Sequence, residues 1–169
     1  MAIIMNQAEQ VFTLQTKRTT YQMKAGDYGI LLHLYYGARV EDCTMDYLLH
    51  RKDVGFSGNP YEAGEDRTFS LDTLPQEFPS YGVGDYNCVG VCQADGTRAA
   101  DFRYVSWEIR EGAHKIPGLP CLFDEDETAE TLVIFLEDAA SSLKLELYYV
   151  VFADRDVIAR SARITNGGK

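Results

Sequence analysis

An all-β fold, a two-sheet antiparallel β-sandwich, is what this 169-residue sequence predicts, on three observations. Short runs of alternating or continuous apolar residues, rich in Val, Ile, Leu, Tyr and Phe, recur at close spacing. Gly, Pro, Asp and Asn punctuate the gaps between them. No stretch makes a good helical segment, and many short strands without helices mean a sandwich. The length suits one domain, residues 1–169, with room for a sizeable core. At 46% hydrophobic and 12% aromatic the composition is neither disordered nor membranous.

Residues 11–16 alternate Phe12, Leu14 and Thr16 against Val11, Thr13 and Gln15, as a strand does. Lys17 and Arg18 make a tight connection to a second β-rich segment, 19–23. Ala25-Gly26-Asp27 supplies a turn in which Gly26 can take a positive φ. Residues 29–36 are apolar on both faces, the pattern of a buried central strand. Helix is the alternative; the brevity, the bounding Gly29 and Gly37 and the Tyr35-Tyr36 pair favour strand.

From 41 to 67 periodicity disappears. Asp42, Asp46, Asp53, Glu62, Glu65 and Asp66 mix there with Arg51, Lys52, glycines, Asn59 and Pro60. A segment this long without pattern is disordered or functional, and Phe56 and Tyr61 offer anchors that favour function. Residues 66–85 follow, turned repeatedly by Pro75, Pro79, Gly82 and Gly84, yet carrying Phe69, Leu71, Leu74, Phe78 and Tyr81 to pin them to a packed body. An anchored irregular loop on a rigid scaffold is where function sits.

Beyond it, 87–93 reads as a short strand and Ala94-Asp95-Gly96-Thr97 as a hairpin turn. Residues 101–110 alternate, with Phe102, Tyr104, Ser106 and Glu108 on one face and Arg103, Val105, Trp107 and Ile109 on the other. Residues 112–120 are loop, broken by Pro117, Gly118 and Pro120. The last third gives consecutive strands at 131–136, 143–152 and 157–165, with Leu143, Leu145, Leu147, Tyr149 and Val151 on one face. Asn166-Gly167-Gly168-Lys169 leaves the final strand uncapped, as in a chain cut within a larger body.

A net charge of −10 repels a phosphate backbone, so no nucleic acid is expected as a partner. The apolar run at 145–152 is too short to span a bilayer, and residues 1–5 lack the pattern of a signal peptide. A cytoplasmic protein with no membrane partner is expected. Cys43, Cys88, Cys92 and Cys121 form no C-x-x-C pair and read as reduced, half-buried packing residues, Cys88 and Cys92 sharing a strand face. His33, His50 and His114 lack metal-ligand spacing, and the acids at 124–127 lack the glycine punctuation of a calcium loop. No metal or cofactor is expected. Tyr35, Tyr36, Tyr81 and Trp107 could stack on sugars, but on alternating strands they read as core.

One run, Arg67-Thr-Phe-Ser-Leu-Asp-Thr-Leu-Pro-Gln-Glu-Phe-Pro-Ser-Tyr-Gly82, resembles a signature of the N-terminal domain of glycoside hydrolase family 36 α-galactosidases. Asp101-Phe-Arg-Tyr-Val-Ser106 with Gly118-Leu-Pro120, and Asp156-Val-Ile-Ala-Arg-Ser-Ala-Arg163, resemble the same domain, so the likeness spans roughly residues 12–167. It implies a large, supersandwich-like two-sheet fold, followed in the parent protein by a (β/α)8 barrel that carries both catalytic aspartates. The barrel's nucleophile sits in a Lys-Trp-Asp-type stretch. Here Trp107 stands alone between Ser106 and Glu108, and no β–α alternation occurs. A retaining glycosidase needs two carboxyl groups about 5 Å apart, and 26 acids could supply such a pair by accident. No catalytic residue is assigned, and the chain by itself should hydrolyse nothing.

The resemblance implies a parent that hydrolyses terminal α-D-galactosides, such as melibiose and raffinose-type oligosaccharides, with retention and without a cofactor. The expected partners are the barrel, further copies of the parent and the α-galactoside. In tetrameric members, N-terminal loops close over a neighbour's sugar pocket. The matching residues here are Asp53, within Asp53-Val-Gly-Phe-Ser-Gly-Asn59, and Arg67, within Asp66-Arg-Thr-Phe-Ser70. A carboxylate accepts from sugar hydroxyls and a guanidinium donates in a fixed fork. Alternatively, Arg67 pairs with Asp66 or Asp72 merely to hold its loop. Glu77 and Asp85 flank the Pro-rich turns and could bond loop backbone or face a partner; of the two, the structural role is favoured. After Asp85 the chain departs from the family, with Tyr-Asn-Cys-Val-Gly in place of Phe-Arg-x-Pro-Ala. A stand-alone carbohydrate-binding sandwich and a purely structural assembly module are the rival readings.

Overall fold

Two antiparallel meanders face each other in the computed structural model, which describes residues 2–41, 43–55, 58–87, 90–125 and 127–168, with Asp85 by its backbone alone. The first runs β1 (Ile3–Asn6), β2 (Val11–Gln15), β3 (Thr19–Ala25) and β4 (Leu31–Ala38), in that spatial order. After a short parallel pair, β5 (Ser80–Tyr81) and β6 (Gly84–Asp85), come β7 (Arg103–Glu111), β8 (Glu130–Asp138), β9 (Leu143–Phe152) and β10 (Val157–Asn166), ordered β10-β9-β8-β7. Helical structure among the described residues is confined to three-residue 3₁₀ turns. The all-β sandwich stands.

The period-2 patterns explain the core. Phe12, Leu14, Tyr21 and Met23 of the first sheet pack against Leu132, Ile134, Leu145, Leu147, Tyr149 and Val151 of the second. The face from Leu143 to Val151 is buried along its whole length, as expected. β1 carries too short a pattern to be legible in sequence. It exists because Ile3 is fully buried opposite Leu14 and the Glu130 carboxylate accepts from the Ala2 and Ile3 amides at 2.6 and 3.1 Å. At the opposite end Asp156 accepts from the Arg18 amide and Nε, both at 2.7 Å, fastening the β2–β3 hairpin to the start of β10.

Several expectations need correcting. The strand at 29–36 is not central: it is β4, an edge of its sheet. It is apolar on both faces because Leu31 faces the inter-sheet core while Leu32 packs outward under Phe69, Leu71 and Leu74, and Leu34 under Met45. Its open edge is covered by loop, through His33 N to Pro75 O at 2.7 Å and Glu77 N to Leu31 O at 2.9 Å. Gly26 has φ −80°; its need for glycine is proximity, since a Cβ would sit 3.0 Å from Leu32 Cδ1. In β7 the strict alternation breaks at a bulge between Tyr104 and Ser106, which turns Trp107 inward with Tyr104, both rings against Phe12.

The described part of 87–93 holds no strand, although the 94–97 turn forms, with Gln93 N bonding Thr97 O at 2.8 Å. Cys43, Cys92 and Cys121 are exposed rather than half-buried. Cys88, Phe56 and Asp126 lie outside the described residues, as does the Asp85 side chain. Tyr36 is 62% exposed, not core.

The sheets are joined by one buried carboxylate. Glu77, on the loop that covers β4, has Oε1 bonded by Tyr21 Oη at 2.6 Å and paired with His33 Nδ1 at 2.8 Å. Its Oε2 accepts from Tyr149 Oη at 2.7 Å and Arg160 Nη2 at 2.9 Å. Tyr21 and His33 belong to the first sheet, Tyr149 and Arg160 to the second. The Arg160 guanidinium also lies over the Tyr149 and Tyr21 rings, at 5.2 and 5.8 Å. Burial pushes the Glu77 carboxyl up, but the bond to His33, the Arg160 charge and the two tyrosine bonds outweigh it and hold it below its ordinary 4.5. Burial, and then the Glu77 charge, push the Tyr21 and Tyr149 phenols up, so both remain donors.

A group whose folded-state pKa is lowered contributes stability above its unfolded value and loses it as pH falls through the folded one. Glu77→Gln should therefore destabilise the fold by about 1–3 kcal/mol near neutral pH. The gap to the parent sequence should narrow progressively below pH 4.5. Urea unfolding of both proteins at neutral pH and at acid pH measures this, and a gap that stays constant would contradict it.

Candidate functional site

The irregular third of the chain is built on the outer face of the first sheet. Phe69 is fully buried among Ile30, Leu32, Leu71 and Leu74. Tyr28 meets it edge-on at 5.0 Å, and the Arg51 guanidinium covers its ring at 5.0 Å while pairing with Asp27 at 2.9 Å. Earlier in the loop, Gln22 fixes its start by bonding the Cys43 carbonyl and the Met45 amide at 2.8 and 3.0 Å. From the other sheet, Arg103 bonds both Asp101 oxygens and the Tyr28 carbonyl and lies 3.9 Å from Glu62. The segments around Arg67, Arg103 and Arg160 thus work as one frame.

On this frame residues 53–55 and 58–59 lie along the segment 66–72. Arg67 Nη2 donates to Gly55 O at 2.8 Å and sits 3.5 Å from Asp53 Oδ1. Asp53 Oδ1 also accepts from the Gly55 amide at 2.8 Å, in a turn where Gly55 has φ +81°, a conformation that favours glycine. Further along, Asn59 Nδ2 donates to Asp66 O at 2.9 Å and Leu71 N to Gly58 O at 3.0 Å. The two residues singled out by sequence are therefore brought together. Arg67 pairs with Asp53, not with Asp66 or Asp72. Asp66 is used locally: the Thr68 hydroxyl and amide bond it at 2.6 and 2.8 Å and hold its carboxyl below the usual range.

The Asp53 and Arg67 side chains are 55% and 54% exposed. An ion pair this wet contributes about 0–1 kcal/mol, so folding does not require these charges. They are free to meet a ligand. The concavity of about 350 Å³ between the 113–122 loop and β9–β10 contains neither residue; its lining includes His114, Leu119, Phe152 and Arg160. Tyr61, expected as an anchor, is 97% exposed. Sequence reasoning missed the reach of Glu77, whose carboxylate bonds side chains of both sheets and not loop backbone. It also missed Asp72 and Tyr86, bonded to each other at 3.0 Å beside Gly58. No pattern in the sequence links those last two residues.

These features define a class of protein: a β-sandwich module that presents an accessible carboxylate–guanidinium pair on a braced loop. The glycosyl hydrolase family 36 N-terminal domain matches residues 29–169, and the chain belongs to that family. It is 48% identical to the bifunctional α-galactosidase/sucrose kinase AgaSK of Mediterraneibacter gnavus over 99% of this chain and 18% of that protein. The solved galactosidase domain of AgaSK superposes with a TM-score of 0.91 at 47% identity, covering 99% of this chain and 23% of that one. A variant of the α-galactosidase AgaA from Geobacillus stearothermophilus, solved in complex with raffinose, superposes at 0.84 with 39% identity over 94% of this chain and 22% of that one. The chain spans about a fifth of the length of these relatives.

Because the pair is half-exposed, Arg67→Ala should shift the free energy of unfolding by no more than about 1 kcal/mol. Urea denaturation tests this directly. A loss above about 2 kcal/mol, the scale of a buried charged hydrogen bond, would make Arg67 a structural residue.

Proposed function

We propose that this chain is the non-catalytic N-terminal domain of a retaining α-galactosidase, and that Asp53 and Arg67 are lent to a sugar pocket completed by another part of the assembled enzyme. The observation that carries this is their juxtaposition: two half-exposed side chains of opposite charge, 3.5 Å apart, on a loop whose base is fixed to a packed sheet. Such a pair offers acceptors and donors together, which suits vicinal hydroxyls. The catalytic carboxylates belong to a following barrel on which this domain packs. The parent acts on terminal α-D-galactosides of the raffinose type, the ligand class carried by the AgaA complex. The receiving pocket is that of a neighbouring subunit in a homo-oligomer.

In the full-length protein, Asp53→Ala and Arg67→Ala should each lower kcat/KM for raffinose about 10- to 100-fold, the scale of a lost charged hydrogen bond. The oligomer, measured by light scattering, should be unchanged. Mixing Asp53→Ala subunits with subunits lacking the barrel nucleophile should restore part of the activity if the loop acts on its neighbour. Unaltered kinetics in both single variants would refute the sugar-contact reading.

A further inference from the structure

We infer that Asp72 is a positioning residue, the clamp that holds the loop carrying Asp53 in the geometry that sets it against Arg67. This rests on the reading of Asp53 and Arg67 as sugar contacts and extends it to a residue that touches no sugar. Two attachments fix that loop to the segment 66–72. At one end lies the wet Arg67 pairing, with its bond to Gly55 O. At the other, Leu71 N bonds Gly58 O at 3.0 Å and Asp72 Oδ2 accepts from the Gly58 amide at 3.3 Å. The second oxygen of Asp72 accepts from Tyr86 Oη at 3.0 Å, so a single carboxylate ties three separate stretches of chain.

The clamp is closely fitted. A Cβ on Gly58 would lie 3.3 Å from Asp72 Oδ1 and 3.4 Å from Tyr86 Oη, so a side chain there would crowd both partners. Asp72 can serve as a fixed point because its neighbour Leu71 and the nearby Leu74 are buried against β4. The bond to Asp72, with burial and the Asp72 charge adding to it, raises the Tyr86 phenol, which keeps it a donor to the carboxylate. Gly58 is only three residues from Gly55, so the chain can carry the two no more than about 11 Å apart. Freeing Gly58 lets the Asp53 turn drift. Displacements of about 1 Å at a binding group can cost up to about 100-fold in rate.

The test is a double-mutant cycle in the full-length enzyme, read together with amide exchange. Asp72→Ala should lower kcat/KM for raffinose about tenfold, speed exchange in the peptide covering 53–59 and leave the global melting temperature near that of the parent. Asp72→Asn should recover most of the loss, because its carbonyl can accept from Gly58 while its amide donates to the Tyr86 oxygen. In an Asp53→Ala/Arg67→Ala background, Asp72→Ala should cost nothing further. An equal loss in that background would overturn the inference, as would parental kcat/KM for Asp72→Ala beside an impaired Asp53→Ala. If Asp53→Ala and Arg67→Ala are themselves silent, the sugar-contact reading fails. The exchange rate of 53–59 then still decides whether Asp72 holds the loop, and unchanged exchange refutes the clamp.

Discussion

The buried carboxylate of Glu77 is the constraint on which the rest of the structure depends. A lone charge between two apolar sheets would be costly to bury. Here both oxygens are occupied, by a tyrosine and a histidine from one sheet and by a tyrosine and an arginine from the other. Hydrophobic burial holds the sheets together without direction; this network supplies direction, because its donors meet at one point only when the sheets are in register. The same residue ends the run, Pro75 to Glu77, that pairs along the edge of β4, so the network also fixes where the loop leaves that edge.

From that fixed point the irregular region becomes intelligible. Phe69, Leu71 and Leu74 press it onto the outer face of β4, Arg51 and Arg103 brace it from either side, and its exposed rim carries Asp53 and Arg67. Rigidity and exposure are thus divided between neighbouring residues. The apolar ones lie inward and take the packing energy, while Asp53 and Arg67 stay half-exposed at the rim. A domain built this way can present a carboxylate and a guanidinium without the ordering cost of a floppy loop.

The fold was largely legible in the chain because alternating or continuous apolar runs bounded by turn residues advertise strands, and β8, β9 and β10 are such segments of nine or ten residues each. β1 was not, since four residues give alternation too little length to register. β4 looked central because burial on both faces has the same signature whether the second cover is another layer or, as here, a loop. The bulge in β7 was invisible for a related reason: a one-residue shift alters facing without altering composition. At the site, Asp53 and Arg67 were reachable through resemblance, whereas their contact required the 13 intervening residues to fold back. Asp72 and Tyr86 carry no local pattern and meet only because the segments bearing them converge beside Gly58.

What the sequence by itself determined was the class of fold, the core-facing row of β9 and the existence of an anchored, turn-rich loop, all of them consequences of local periodicity and turn chemistry. Tertiary structure alone decided which face each anchor found, that Glu77 would bridge the sheets, and that Arg67 would choose Asp53 over the nearer Asp66 and Asp72. Those choices depend on distances between residues remote in the chain. Asp66 is satisfied by Thr68 and Asp72 by Gly58 and Tyr86, which leaves Asp53 as the carboxylate the guanidinium reaches.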